Sequence, residues 1–203
     1  MARRTKDEAM KTREDILDAA LDVMSEKGYS RMTFVDIAER IGLTKGAVYW
    51  HFKNKKSLLI ELIKEFHDRR ERLVAENARQ LNTFDDLLEH FVQRTHVVMQ
   101  DPSCRKIAFF LSFQMEWTQD LLEAANESLN ELRKDLFLQV VEVIKDAKDA
   151  GMLKKEVEPR ESAVILISLW KGLFANDVGG YADMDLLKCV EKSFSWILEG
   201  MKA

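Results

Sequence analysis

The chain has 203 residues, a net charge of −4 and 46% hydrophobic residues, which allow a small domain beside a larger one with its own core. The negative overall charge argues against an indiscriminate polyanion binder. Residues 1–56 carry a charge of +3 and the remainder −7, so a contact with a polyanion would be local and would lie at the basic end. The two cysteines form no CxxC pair, which argues against a disulfide framework and a zinc site. The sequence has no apolar leader and no apolar stretch of roughly twenty residues, which argues against a membrane span, so we expect a cytoplasmic protein.

The first predicted helix covers residues 9–27 and has an apolar side that repeats every three or four residues. Gly28 follows directly, and a glycine after such a run is typical of a helix that ends in a left-handed conformation. This segment is expected to be the first helix of a three-helix unit. Its apolar residues are Ile16, Leu17, Ala20, Leu21, Val23 and Met24.

The second predicted helix begins with a variant capping box, in which Asp36 stands three residues after Thr33 in place of the usual Glu or Gln. Gly42 ends this helix, and Thr44 begins another. The two capping threonines are 11 residues apart. Because that separation fits a short helix, a tight turn and a second helix, it predicts a helix-turn-helix.

The third predicted helix divides the residues after Thr44 into two faces. Val48 and Phe52, four residues apart, point inward. The other face mixes cations with a phenol and an indole, and such a face suits phosphates and base edges. We therefore predict a recognition helix for DNA, with the outer residues Lys45, Gly46, Tyr49, Trp50 and Lys53.

The start of the fourth predicted helix breaks a local rule. Asn54 is a suitable N-cap, yet Lys55 and Lys56 occupy the first turn, where the helix dipole disfavours cations. A DNA phosphate over this helix start would reverse the penalty, because it would meet Lys53, Lys55 and free backbone N–H groups together. The alternative is a solvated lysine cluster; we favour the phosphate contact.

Residues 3–59 resemble the DNA-binding domain of the TetR/AcrR family of bacterial repressors, above all in the segment 44–55, TKGAVYWHFKNK. Residues 2–6 and 105–152 are further similar to the branch that represses multidrug efflux pumps. The resemblance implies an Ω-shaped homodimer that binds a palindromic operator. It also implies major-groove contacts from Lys45, Gly46, Tyr49 and His51, and phosphate contacts from Thr33, Thr44, Tyr49, Lys53 and Lys55.

Beyond residue 57 every segment is predicted to be helical, since no alternating strand pattern occurs and the only prolines are Pro102 and Pro159. We expect an all-α chain of about nine helices. Its helix-turn-helix DNA-binding head would cover residues 1–56, and a larger ligand-binding and dimerisation body would cover residues 57–203. The further helices are predicted at 55–80, 83–100, 102–117, 118–150, 160–176 and 183–201.

The predicted body contains many large aromatic residues with polar neighbours. Ligand pockets are mostly apolar with a few placed polar groups, so this set predicts a pocket for a hydrophobic small molecule. The alternative is ordinary core, because aromatic residues at helical spacing are commonly buried. The acidic body tilts the expected ligand slightly toward a cation. The candidate pocket residues are Phe66, His67, Phe91, Phe110, Phe113, Gln114, Trp117, Phe137, Trp170 and Phe174.

The last two predicted helices carry apolar stripes wide enough to face both the body and a second subunit. A dimer also suits a palindrome, because two recognition helices must reach successive major grooves about 34 to 36 Å apart. The alternative is a monomer in which both helices belong to the core. The candidate interface residues are Ile165, Leu169, Leu173, Leu187, Val190, Phe194 and Ile197.

Enzyme motifs are absent: the four histidines show no metal-ligand spacing, and the chain has no GxSxG, Walker loop or GxGxxG. We therefore expect a non-enzymatic repressor without metal or cofactor. Its partners would be double-stranded operator DNA, a hydrophobic inducer and a second copy of itself, and its target an efflux pump. Two alternatives stay open, namely a regulator of lipid or other metabolic genes with a different ligand, and a DNA-binding protein that responds to no ligand.

Overall fold

The computed structural model describes residues 6–77, 80–180 and 183–203. Within these ranges the chain is all-helical, as predicted, and its only bridge of β type is an isolated pair between Leu153 and Lys202. None of the helices in these ranges is long and apolar enough to cross a membrane. The helices are α1 (Lys6–Lys27), α2 (Phe34–Arg40), α3 (Lys45–His51), α4 (Lys55–Asn77), α5 (Asp86–Gln100), α6 (Pro102–Phe109), the π-helical turn (Phe110–Gln114), α7 (Gln119–Asp149), α8 (Pro159–Gly179) and α9 (Leu186–Met201).

The helix ends in the head follow from the sequence. Gly28 has φ +82°, a left-handed conformation in which a side chain would be strained. Thr33 and Asp36 form the predicted capping box, with the Asp36 N–H donating to the Thr33 hydroxyl at 3.2 Å and the Thr33 N–H donating to the Asp36 carboxylate at 2.8 Å. Asn54 caps α4 through a 2.8 Å bond from the Ser57 N–H. These local predictions are confirmed; residues 2–5 of the efflux-branch resemblance lie outside the described ranges.

The predicted helix over 102–117 is corrected by the structure. The α-helix ends at Phe109, and the chain then makes a π-helical turn in which the Met115 N–H donates to the Phe110 carbonyl at 2.8 Å. Phe110 and Met115 are both buried in the same apolar core. Their separation of five residues matches the wider π turn, whereas an α-helix would direct them to different sides.

Two apolar cores organise the chain. The second core lies among α5, α7, α8 and α9, where the Phe91 and Phe194 ring centroids are 4.6 Å apart. The first core joins α1, α2 and α3 to the start of α4 and to the segment around the π turn. The predicted division at residue 56 therefore falls inside a continuous core. The body contributes Leu58, Leu59, Leu62, Phe66, Ile107, Phe110, Met115 and Leu121 to it.

Candidate nucleic-acid interface and ligand cavity

A tight turn fixes α3 against α2. The Leu43 N–H donates to the Ala38 carbonyl at 2.8 Å, and Gly42 has φ +65° in this turn. Val48 is fully buried on the inner face of α3. The Tyr49 ring packs edge-on against the Phe34 ring, with centroids 4.8 Å apart. The inner face of α3 is thereby held by the core, and its outer face is presented to solvent.

The outer face of α3 carries two large aromatic side chains in solvent. Trp50 is 74% exposed and Tyr49 is 50% exposed. The Lys45 ammonium lies 5.4 Å from the centroid of the Tyr49 ring, and the His51 ring lies 4.6 Å from that of Trp50. Cation, phenol, imidazole and indole are therefore adjacent, a combination that suits base edges and phosphates.

Gly46 leaves the middle of this face open. A Cβ atom built at Gly46 would meet nothing nearer than the Thr44 hydroxyl at 3.8 Å, an ordinary van der Waals distance. The same hydroxyl accepts a hydrogen bond from the Ala47 N–H at 3.2 Å. The fold itself therefore has room for a side chain at position 46, so a need for glycine there has to come from a surface outside the protein.

The candidate phosphate-binding residues differ in whether the structure already gives their polar groups a hydrogen-bond partner within the protein. Lys53 is exposed, whereas the Lys55 ammonium donates to the Ser30 carbonyl at 2.9 Å. The Thr33 hydroxyl donates to Asp36 at 2.7 Å. Hydrogen bonds from Lys27 and Thr33 lower the pKa of Asp36 to about 2, so the carboxylate stays charged at neutral pH. A phosphate would find Lys53 available and would have to replace an existing partner of Lys55.

A cavity of about 730 Å³ lies in the body between α4, α5, α6, α7 and α8, next to the π turn. Cys104 is part of its wall, and burial raises the pKa of this thiol to about 11, so it stays protonated and unreactive at neutral pH. The structure brings six of the predicted pocket residues to the cavity wall: Phe66, His67, Trp117, Phe137, Trp170 and Phe174.

The other four candidate pocket residues lie elsewhere, which corrects their expected position. Phe91 is fully buried in the second core and Phe110 in the first. Phe113 is 40% exposed and packs against Phe109, with ring centroids 5.5 Å apart. The Gln114 amide donates to the Ser25 carbonyl of α1 at 3.3 Å. Helical periodicity indicates an inward face, but it does not distinguish a neighbouring side chain from a cavity.

Charged residues that the sequence analysis did not single out form a cluster in the cavity wall. Glu71 accepts hydrogen bonds from Arg94, one of them at 3.0 Å, and from Arg70 at 3.1 and 3.0 Å. Burial raises the pKa of Glu71, but the two guanidinium groups outweigh it and bring that pKa to about 2. Burial lowers the pKa of His67, which favours the neutral imidazole. The available signal for this cluster was an arginine on the apolar face of α5, in helical register with Leu87, Phe91 and Val98.

The outer face of α8 and α9 presents apolar side chains to solvent. Ile165 is 55% exposed and Trp196, which the sequence analysis missed, is 69% exposed. Val190 and Phe194 are instead fully buried in the second core of the chain itself, so the expectation that they form an interface is corrected. The apolar stripe of α9 is occupied by its own core at these positions. The remaining candidates Leu169, Leu173, Leu187 and Ile197 are half-buried.

Comparison with known proteins gives a consistent result. Residues 16–62 match the family model described as bacterial regulatory proteins, tetR family. Over 203 residues the chain is 30% identical to the HTH-type transcriptional regulator TtgR of Pseudomonas putida, covering 99% of this chain and 95% of TtgR.

Solved structures share the fold. NalD, the secondary repressor of the MexAB-OprM multidrug efflux pump in Pseudomonas aeruginosa, aligns with a TM-score of 0.79 at 24% identity and covers 97% of this chain and 98% of its own. SmeT, the repressor of the Stenotrophomonas maltophilia multidrug efflux pump SmeDEF, aligns as its triclosan complex with a TM-score of 0.71 at 24% identity, covering 90% of this chain and 89% of SmeT.

Proposed function

Because the chain belongs to the TetR family of bacterial transcriptional regulators, we propose that it is a cytoplasmic repressor released from a palindromic operator by a hydrophobic small molecule. The observation that carries the proposal is that two side chains of the cavity wall also belong to the apolar core beneath the DNA-binding head. Phe66 and Ile107 line the cavity and also belong to the first core, which contains α1, α2 and α3. A ligand that displaces either side chain would disturb the packing beneath the head.

Polar contacts between head and body provide a second connection. Lys106 on α6 pairs with Asp22 on α1, and the Lys56 ammonium on α4 lies 2.8 Å from the Asp120 carboxylate on α7. Both α4 and α6 contribute to the cavity wall. A change in the packing of α6 would be transmitted to α1 through Lys106 and Asp22, and a change in α4 would act directly on the end of α3, which α4 follows. This supports a mechanism in which ligand binding tilts each head relative to the head of the other subunit.

Release requires the ligand to distinguish two arrangements of the protein. A compound that bound both arrangements with equal affinity would leave their populations unchanged, however tightly it bound. In the proposed mechanism the DNA-bound arrangement has the smaller cavity, and the ligand favours the larger. A palindrome adds sensitivity, because both recognition helices must engage at once.

We propose that residues 1–56 act as the DNA-binding head and residues 57–203 as the ligand-binding and dimerisation body. In the head, Lys45, Gly46, Tyr49 and His51 would meet base edges, with Trp50 beside them. The exposure of Trp50 and Tyr49 on one face supports this assignment. Phosphate contacts are proposed for Thr33, Thr44, Tyr49, Lys53 and Lys55.

We propose a homodimer formed through the outer face of α8 and α9. Ile165 and Trp196 provide its exposed apolar groups, with Leu169, Leu173, Leu187 and Ile197 at their margins. Exposed apolar side chains on adjacent helices favour a four-helix contact over a solvated surface. The monomer alternative would leave Trp196 in water.

We further propose that the regulated gene encodes a multidrug efflux pump, as stated for the pumps of NalD and SmeT. Selection of bound duplexes from a random-sequence pool would identify the operator. A palindromic consensus that occurs in the promoter of an efflux gene is the expected result. A consensus found only beside lipid or other metabolic genes would favour the second candidate, and a non-palindromic consensus would contradict dimeric binding.

A further inference from the structure

Two arginine side chains of the cavity wall bind the same carboxylate. Glu71 is shared by two guanidinium groups, those of Arg70 and Arg94, and all three residues line the cavity. The His67 imidazole lies next to the carboxylate, with Nε2 3.9 Å from Oε1 of Glu71 and Nδ1 3.5 Å from Oδ1 of Asp68. With His67 neutral, the three side chains of Arg70, Glu71 and Arg94 carry a net charge of +1.

Arg94 is packed tightly into the cavity wall. Its side chain is 2% exposed, and its guanidinium lies 5.4 Å from the centroid of the Trp170 ring. The Trp170 indole in turn donates to the Thr95 hydroxyl at 2.8 Å, which fixes the ring. Arg94 Nε is buried without a hydrogen-bond partner among the described residues. A buried N–H donor without a partner is unfavourable, and an acceptor group supplied by a ligand would relieve that condition.

The rest of the wall does not reverse this charge. Lys171 and Asp135, both exposed, are the other charged side chains that the described part of the wall contains, and they have opposite signs. The remaining surface is largely apolar, with Phe66, Trp117 and Phe174 among its members. A net charge of −7 over residues 57–203 therefore describes the outer surface of the body and does not describe its interior.

Building on the repressor function proposed above, we propose that the inducer is an amphipathic organic anion. Its acidic group would lie against Arg70 and Arg94, and its aromatic or aliphatic part would fill the space beside Phe66, Trp117 and Phe174. The proposed ligand has the opposite charge to the one that the acidic composition slightly favoured. A cation in the same position would face two guanidinium groups and a carboxylate already shared between them.

Two fluorescent probes with the same aromatic body separate charge from hydrophobicity. The anion 8-anilino-1-naphthalenesulfonate and the neutral N-phenyl-1-naphthylamine differ by one sulfonate group, and both emit strongly in apolar sites. We expect the wild-type protein to bind the anion more tightly by about fivefold or more, as for a charge pair partly removed from solvent. Equal affinities, or a preference for the neutral probe, would overturn the proposal.

Three substitutions locate the effect. Arg70→Gln should weaken anion binding by about fivefold and leave the neutral probe unchanged, because it removes one cation from the cluster. Glu71→Gln should act in the opposite direction and tighten anion binding. Arg72→Gln is the matched control, because Arg72 is 65% exposed on the same helix and is not part of the cavity wall. Loss of both probes in Arg70→Gln, or no loss of either, would contradict the assigned site.

DNA release distinguishes this inference from the proposed function. If the anion releases operator DNA at lower concentration than the neutral probe, both are supported. If only the neutral probe releases DNA, the anion inference fails while the repressor function stands. If neither releases DNA although anion binding depends on Arg70 and Glu71, the ligand-release function fails and the chemistry of the site stands.

Discussion

Lys106 on α6 forms an ion pair with Asp22 on α1, which links a helix of the cavity wall to the first helix of the DNA-binding head. Both side chains are about two-fifths exposed, with values of 41% and 44%. Exposed ion pairs contribute little to stability, roughly 0–1 kcal/mol. Removing this pair should therefore test communication between cavity and head without a large change in stability.

Lys106→Gln tests that position. We expect the free energy of unfolding to change by less than about 1 kcal/mol, since the pair is exposed. The ratio of operator Kd with and without ligand should fall by about fivefold, within the range typical of allosteric coupling. Fluorescence anisotropy of a labelled operator duplex measures both Kd values. Lys145→Gln, an exposed lysine on α7, is the control, and an unchanged ratio in Lys106→Gln would remove this pair from the coupling mechanism.

Gly46→Ala should separate folding from DNA binding. The added methyl meets only the Thr44 hydroxyl at 3.8 Å, and alanine in a helix is favoured over glycine by roughly 0.5–1 kcal/mol. We therefore expect unchanged or higher stability in urea titrations and an operator affinity at least about tenfold lower, a loss of about 1.4 kcal/mol. Gly200→Ala in α9 is the matched helical control. Full operator affinity in Gly46→Ala would show that DNA does not approach this backbone closely.

Ile165→Asp and Trp196→Asp should each convert the proposed dimer to monomer. A carboxylate in an apolar interface loses its hydration without gaining a partner, which is strongly unfavourable. Sedimentation equilibrium gives the dissociation constant, and operator binding should weaken in parallel because one head reaches one half-site. Leu122→Asp changes an apolar side chain that is 44% exposed on α7 and serves as the control. Dimers that persist in both interface variants would move the interface to another face.

Asp36→Ala should destabilise the protein in a pH-dependent way. Hydrogen bonds from Lys27 and Thr33 bring the folded-state pKa to about 2 from 3.8, so the stabilisation is present above pH 4 and is lost as the pH falls through 2. The difference in unfolding free energy between wild type and variant should be largest near pH 6 and should shrink between about pH 4 and 2. Asp149→Ala, which makes the same charge change at the exposed end of α7, is the control. A difference that stays constant with pH would contradict the assigned pKa.

The head was the part of the fold most open to prediction from sequence, because its signals are local. The capping box of Thr33 and Asp36, the left-handed Gly28 and the Asn54 cap each depend on residues within a few positions of one another. The burial of Val48 follows from helical period alone. The π turn at Phe110 was not predictable in this way, because it depends on the core that Phe110 and Met115 share with α1 and α4.

The cavity was predicted only in outline. Phe66 and Phe91 have the same chemistry and similar helical settings, but one lines the cavity and the other packs against Phe194. That difference arises from how α4, α5 and α9 meet in space. Arg94 and Glu71 are 23 positions apart on different helices. The sequence could therefore indicate Arg94 on the buried face of α5 but could not identify its partner.

Ligand control of DNA binding is tested most directly by titrating operator release with ligand, in the wild type and in a variant with a filled cavity. Ala108 lines the cavity, and Ala108→Trp would occupy part of its volume. Anisotropy of the selected operator duplex is followed while a panel of anionic and neutral hydrophobic compounds is added at fixed salt. We expect at least one compound to release the wild type from DNA, and we expect Ala108→Trp to bind DNA but to resist release. Equal release of both proteins, or no release of the wild type by any compound, would contradict this expectation.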